Sequence, residues 1–443
     1  MANVLLITAD DMRADELAFM PNTRRLLCGK GTTFTGCRAN VPLCSPARAG
    51  ILTGQLSKHH GGVTQGWSPN DTSDDNLFAR CSTTHRIGVV GKYISGLAGQ
   101  NKPSWATFWR CLNGSTGPSG LIYDAYGYTI RTEAPATITP TEYQDHYLAK
   151  QAVNFIEGSE PWVLWYCPTT NHWPWEDPPN HQTEHALTSW PLVMETDVSD
   201  KPTWIQAQPN LTPDEQAEMQ DDQRHRLREL LALDDAIAAM VGQIDATGQA
   251  DDTTIIFTSD NGNMLGEHRI QGTAAGSRAI QKNNLYDPAL RVPLVCRGPG
   301  FVRQTVRQPT IQQDITRTIL AMLGKTASLP NQAGLHLAPF AADPAANNSR
   351  KLLHYRDTLG DGDGTPSADG ITTYESLLTP GAITPRKLIK HRSPHNGNPL
   401  PSTDIYEMYD LDIDPNEHTN VAYVPGRLAE RNLLEGHLNT LLA

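Results

Sequence analysis

Two pairs of oxygen-bearing residues stand out, Asp10–Asp11 in "LLITADD" and Asp260–Asn261 in "IIFTSDNG". Carboxylate and amide oxygens without His or Cys among them suit a hard divalent cation, Ca²⁺ or Mg²⁺. Either pair alone reads as a helix cap or turn filler, the commonest use of Asp and Asn. Brought to one place, four such ligands would repel one another without a metal between them, and the metal reading prevails. Arg48, Lys92 and Lys282 are the basic residues that could join them and complete a pocket for a tetrahedral anion. The segment "PLCSPARAGILTGQ", residues 41–54, then raises a question about Cys44. A free cysteine is usually a small apolar core residue. Here it precedes Ser45, which reads as a helix N-cap, and Pro46, which suits the first helical position. A helix start offers free N–H groups and the positive end of a dipole. A cysteine at that point, beside an anion pocket, is placed as a nucleophile or the precursor of one.

These residues need a frame that brings them together. Val4–Ile7 is a short apolar run that stops at Asp10, and "RIGVVGKY", "PWVLWYCP" and "DDTTIIFTSDNG" repeat the pattern. Each reads as a strand buried on both faces, followed by polar residues. Helical stretches at 141–157 and 212–246 intervene, the second with leucines at packing-helix spacing. Alternating strands and helices predict an α/β fold, a large and mostly parallel sheet sandwiched by helices. Such sheets bind ligands beyond the carboxyl ends of their strands, where all four strands place their polar residues. The segment 158–210 reads as a long loop over the site, with Trp162, Trp165, Trp173, Trp175 and Trp190 suited to stack on a sugar or aryl ring or to ordinary packing. Residues 325–350 read as a linker. Beyond them four short antiparallel strands and a closing amphipathic helix form a smaller unit. The expected division is residues 1–335, an N-terminal catalytic α/β domain, and 336–443, a C-terminal α+β subdomain.

Bulk properties narrow the classes. The chain has 443 residues and a net charge of −12, with no polybasic run, which argues against nucleic acid as a partner. No stretch approaches the ~18 apolar residues of a membrane span. The seven cysteines include no CxxC pair, which disfavours a thiolate zinc site. With no basic, apolar leader at the N-terminus, the sequence predicts a cytoplasmic protein.

"CSPAR" fits Cys-X-Pro-X-Arg, and the chain resembles the sulfatase family, whose fold is alkaline-phosphatase-like. The likeness extends over twelve residues, "CSPARAGILTGQ". It continues in "LLITADDMR", "GKYISG", "NHWPW", "TSDNGNMLGEH", "KNNLYDPALRVPLV" and "MYDLDIDPNEHTNVA", in family order. The resemblance implies that Cys44 is oxidised after translation, by a formylglycine-generating enzyme, to the aldehyde formylglycine. It implies Ca²⁺ on Asp10, Asp11, Asp260 and Asn261, and Arg48 holding the aldehyde hydrate. Lys92 and Lys282 would grip sulfate, and His172 would contact the substrate and protonate the leaving alcohol. Ile94 stands where many arylsulfatases carry a histidine. "GKYISG" is closer to the "GKYLNG" of the glucosamine-6-sulfatase and endosulfatase branch, with Ser95 at its Asn position. His268, in "LGEHR", either takes over the steering of the nucleophile's proton or is an ordinary loop histidine. The implied activity is hydrolysis of a carbohydrate or aryl sulfate monoester. The alternatives are a phosphonate monoester or phosphodiester hydrolase with the same metal and aldehyde, and an unmodified member that only binds anions.

Overall fold

The computed structural model describes residues 2–62, 65, 75–94, 102–117, 119–134, 137–186, 188–270, 281–325, 328–343, 350–356, 374–379, 386–391 and 405–442. In chain order its strands are β1 (Asn3–Ala9), β2 (Thr32–Phe34), β3 (Cys37–Arg38), β4 (Arg86–Gly91), β5 (Phe108–Ser115), β6 (Tyr128–Arg131), β7 (Thr137–Ile138) and β8 (Trp162–Cys167). There follow β9 (Thr253–Ser259), β10 (Leu294–Arg297), β11 (Gln304–Val306), β12 (Thr310–Ile311), β13 (Leu352–Arg356), β14 (Tyr374–Thr379), β15 (Arg386–His391) and β16 (Ile405–Asp410). Ten of them form one sheet in the order β11-β2-β10-β9-β1-β8-β4-β5-β6-β7. The five central strands, β9 to β5 in that order, are parallel, and antiparallel strands flank them.

The apolar run of β1 explains its central place. Val4 and Leu6 join one core with Ile51 and Leu52 of the helix Cys44–Thr53, Ile315 and Ile319 of the helix Gln313–Met322, and Trp165. Leu5 and Ile7 face the other way, into Leu227, Leu230, Leu233 and Ile237 of the long helix Pro213–Ala246 and Leu148 of the helix Gln144–Ile156. Alternate residues of a strand point to opposite faces, so one tetrapeptide fastens both helical layers. Burying each such side chain is worth about 1.5–3 kcal/mol. The long helix begins with a capping box, Thr212 and Glu215 satisfying each other's backbone N–H groups. No described helix is long and apolar enough to cross a membrane.

Strands β13 to β16 form the expected antiparallel sheet, in sequence order. The closing helix Leu428–Leu442 packs Leu434 and Leu438 against Leu388 and Met408 of this sheet. Its other side meets the large unit through Ile389 and Tyr409, in one cluster with Leu285, Tyr286 and Leu290.

One expectation about connections is corrected. Within 325–350 the chain forms a helix, Leu337–Ala342, whose Leu337, Phe340 and Ala341 are buried in the cluster that holds Val4 and Trp165. It is a packed element rather than a bare linker. Apolar residues separated by Pro339 and Pro330 hid that packing. The tryptophans Trp162 and Trp165 sit in β8, fully buried, with their indole N–H groups on Gln249 and Thr8. They lie in the strand expected from "PWVLWYCP" and take the ordinary-packing alternative. Ser95 and Gly96 of "GKYISG" lie outside the described residues.

Candidate active site

Because β9, β1, β8 and β4 are adjacent and parallel, their carboxyl ends open on one edge of the sheet. Asp10 and Asp11 follow β1, Asp260 and Asn261 follow β9, Lys92 follows β4, and the chain after β8 runs on to His172. Asp11 adopts φ 59, a left-handed turn that Asp tolerates better than most residues. That turn lets two consecutive carboxylates reach the same place. Gly91 is equally local in its logic. At φ 112, a Cβ there would lie 2.0 Å from the Cys167 carbonyl oxygen. Only glycine lets β4 approach β8 closely enough for the Lys92 N–H to donate to that carbonyl at 2.6 Å.

Cys44 is the first residue of its helix. Leu43, not Ser45, is the capping residue, and it makes no side-chain cap bond. The expected Ser45 cap and Pro46 first position are thus displaced by two residues. The sulfur lies 3.2 Å from Asp10 Oδ1, 3.7 Å from Asp11 Oδ1 and 3.2 Å from Lys282 Nζ. One turn on, Arg48 is fully buried, with Nε donating to Asp260 Oδ2 at 2.8 Å and Nη1 to the Lys92 carbonyl at 2.5 Å. Lys92 Nζ bonds Asp10 Oδ2, and Lys282 Nζ donates to both oxygens of Asp11 at 2.7 Å. Three carboxylates therefore face three cations. Burial works to raise the Asp10 carboxyl, but Lys92 and Arg48 outweigh it and bring it down to about 2. Burial, then Asp10, pushes the Cys44 thiol well above its ordinary value despite Lys282.

The ligand atoms of Asp10, Asp11, Cys44 and Asp260 all lie within 4.8 Å of one another, a group able to hold a metal ion. Asn261 completes it. Its Nδ2 donates to Asp11 Oδ1 and the Gly262 carbonyl, while its Oδ1 is buried without a hydrogen-bond partner. An orphaned amide oxygen beside three carboxylates fits a hard divalent cation.

His172 reaches the same group, with Nε2 3.8 Å from Asp11 Oδ2. Its ring stacks on Tyr123 at 3.6 Å between centroids, and Nδ1 donates to the Trp173 carbonyl at 2.5 Å. Burial and then Lys282 bring its pKa down to about 4. His268 is placed elsewhere. Its Nδ1 bonds Glu195 Oε2 at 2.6 Å and its ring stacks on Tyr286, so its contacts do not run to Cys44, Asp10 or Asp11. Nine of the ten candidate residues thus meet at one edge.

Sequence reading misses the residues beneath them. Arg226, on the helix read only as packing, donates to the Asp11 carbonyl at 2.9 Å and the Asn171 carbonyl at 3.2 Å, and forms a buried pair with Glu16. Gln312 donates to the carbonyls of Ser259 and Asp260 at 2.7 and 2.6 Å. Tyr123 lies under both His172 and Lys92, whose Nζ is 4.9 Å from the ring centre. A Gln or Tyr in an apolar stretch carries no spacing signal. Arg226 in "RLRELL" is the one visible hint, an arginine on the face of a helix that is otherwise core.

Comparison with known proteins identifies relatives of the chain and of its fold. The Sulfatase family model matches residues 2–325. The chain is 26% identical over 369 residues to N-acetylglucosamine-6-sulfatase of Capra hircus, covering 76% of this chain and 63% of that protein. It therefore spans somewhat less than two thirds of that relative's length. Its fold resembles that of a solved protein in complex with its substrate, D-glucosamine-2-N,6-O-disulfate, with TM-score 0.81 and 19% identity over 99% of this chain and 97% of the other. A phosphonate monoester hydrolase from Silicibacter pomeroyi superposes with TM-score 0.75 and 19% identity, covering 99% and 95%.

Proposed function

The chain belongs to the sulfatase family, and from that membership we propose that it hydrolyses a sulfate monoester of a saccharide, using a formylglycine made from Cys44. A divalent cation, Ca²⁺ by preference, would be held by Asp10, Asp11, Asp260 and Asn261. The observation that carries the reading is the setting of Cys44. Its sulfur touches Asp10, Asp11 and Lys282 at a helix start, while its thiol is held protonated. An unmodified thiol is a poor nucleophile there, whereas Arg48, Lys92 and Lys282, with a cation to offset the carboxylates, would suit an oxyanion.

A formylglycine hydrate at residue 44 would supply one hydroxyl to attack sulfur as the alcohol leaves, and a second hydroxyl whose loss of a proton would restore the aldehyde as sulfate departs. The cation would polarise sulfate oxygens and offset the three aspartates. Arg48, buried and fixed on Asp260, stays beside residue 44 and orients what is formed there. Lys92 and Lys282 each have an ammonium at the carboxylate cluster, and with the cluster's charge met by the cation they are available to sulfate oxygens. Cationic donors fixed before the reaction lower its barrier without reorganising. With Nδ1–H committed to Trp173, neutral His172 presents a lone pair at Nε2, so it must first take a proton there to protonate a leaving alkoxide.

The name of that curated relative, and the disulfated glucosamine in the similar solved structure, support an amino-sugar sulfate as an ester to test beside an aryl sulfate. The likeness to a phosphonate monoester hydrolase is one of fold, and no residue at the site favours phosphorus over sulfur. The test is kcat/KM on glucosamine 6-sulfate and nitrophenyl sulfate with protein whose residue 44 has been verified as aldehyde. Activity on neither would refute the proposal.

A further inference from the structure

Lys282 lies on the stretch 281–291, and the C-terminal sheet grips that stretch at two points just beyond it. Tyr286 OH donates to Glu407 Oε2 at 2.8 Å, and the Asp287 N–H donates to Glu417 Oε2 at 2.6 Å. Glu407 lies in β16 and Glu417 follows it, and they are 1% and 0% exposed. Each is backed by a basic residue of β15. His391 Nε2 lies 2.6 Å from Glu407 Oε1, and Lys387 Nζ lies 2.6 Å from Glu417 Oε1. From the large unit, Arg38 of β3 closes on Asp287 with bonds of 2.9 and 2.6 Å.

The near end of the same stretch is tied to the nucleophile's side. The Asn283 N–H donates to the Pro42 carbonyl at 2.7 Å, two residues before Cys44. Asn283 sits at φ 60, so the backbone turns sharply next to Lys282 and its neighbours fix the direction of that side chain. The contact between the units already has an apolar cluster, Leu285, Leu290, Ile389 and Tyr409. Buried ion pairs add little stability over apolar packing of the same shape. The buried acids that hold Tyr286 and Asp287, the two residues after Leu285, therefore call for a reason other than adhesion.

We propose that Glu407 and Glu417 are positioning residues for Lys282: they hold Tyr286 and Asp287, and through them set the Lys282 ammonium against residue 44. This rests on the reading of Lys282 as a cation that grips sulfate. It gives the C-terminal sheet a part in the reaction without contact with the reacting atoms.

A double-mutant cycle tests it. Tyr286→Phe and Glu417→Ala are made singly and each combined with Lys282→Ala, in full-length protein with verified aldehyde at residue 44, and kcat/KM is measured on one sulfate ester. Melting curves confirm that each variant is folded at the assay temperature. Each single change is expected to lower kcat/KM about ten- to a hundredfold, as for other residues that orient a reacting group. Added to Lys282→Ala, neither should cause further loss. Losses that multiply in the double variants, or single variants with undiminished kcat/KM, overturn the proposal. If Glu417→Ala does not fold, Tyr286→Phe, which removes one hydroxyl, decides alone. Undiminished activity in Lys282→Ala itself would instead refute the reading of Lys282 on which the proposal rests.

Discussion

Lys282 Nζ lies 3.2 Å from Cys44 Sγ, yet the thiol is harder to ionise than a free cysteine. A neighbouring ammonium ordinarily favours the thiolate. Here burial and the Asp10 carboxylate outweigh it. The site is arranged around anions, but its cysteine cannot itself become one at neutral pH.

The first prediction follows. Unconverted protein should resist alkylation of Cys44 at neutral pH, and co-expression with a formylglycine-generating enzyme should give the mass loss of thiol replaced by aldehyde. Peptide mass spectrometry reads both. Rapid alkylation of Cys44 in folded protein would contradict the electrostatic argument.

Metal binding should be visible as stability. Ca²⁺ at about a hundred times its dissociation constant is expected to add about 2.7 kcal/mol, seen as a rise in Tm that chelator reverses. Without the ion, Asp11→Ala leaves Lys282 partly buried and unpaired, a loss of about 3–5 kcal/mol for a broken buried pair. A Tm indifferent to Ca²⁺ and chelator would remove the metal from the account.

The fold is legible because β1, β4, β8 and β9 are buried on both faces and therefore apolar throughout, with polar residues only where each strand ends. The same logic assembles Asp10, Asp11, Lys92, His172, Asp260 and Asn261, while Cys44, Arg48 and Lys282 are read from a helix start, from charge and from the family resemblance. It fails for His268, because "LGEHR" says nothing of whether the ring turns toward Asp11 or toward Glu195 and Tyr286. It fails for Gln312 because its side-chain amide donates to backbone carbonyls, which leave no trace in sequence, and for Arg226 because two of its partners are carbonyls and its carboxylate partner, Glu16, is far away in the chain. For Trp165 the sequence leaves stacking on a sugar and packing in a core both open, and its full burial in β8, with its indole N–H on Thr8, decides for packing.

His172 should matter most for poor leaving groups, since a general acid contributes most when the departing oxygen is strongly basic. His172→Ala is expected to lose far more kcat/KM on a sugar sulfate than on nitrophenyl sulfate. Equal losses on the two would leave the ring with positioning only.

Acid stability should reflect His354. This residue is fully buried, its Nδ1 donates to the Ala39 carbonyl at 2.8 Å, and burial and then Arg38 bring its pKa down to about 3. Unfolded, it takes a proton near pH 6.5, whereas folded it stays neutral down to about 3. The unfolded chain thus binds the extra proton in that window, and stability falls as pH drops through it. The slope is about 1.4 kcal/mol per pH unit for one such group. Denaturant melts from about pH 6 to 4 should show His354→Gln less pH-dependent by that amount, and parallel curves would be the contrary result.

Sulfate ester hydrolysis at residue 44 requires the site to distinguish sulfur from phosphorus. The most direct measurement compares kcat/KM for a sulfate monoester with that for the phosphate monoester and the phosphonate of the same leaving group, on Ca²⁺-loaded protein with verified aldehyde. The expected result is a preference for sulfate by about tenfold or more, equivalent to about 1.4 kcal/mol of transition-state binding. A preference of that size for either phosphorus ester would contradict it.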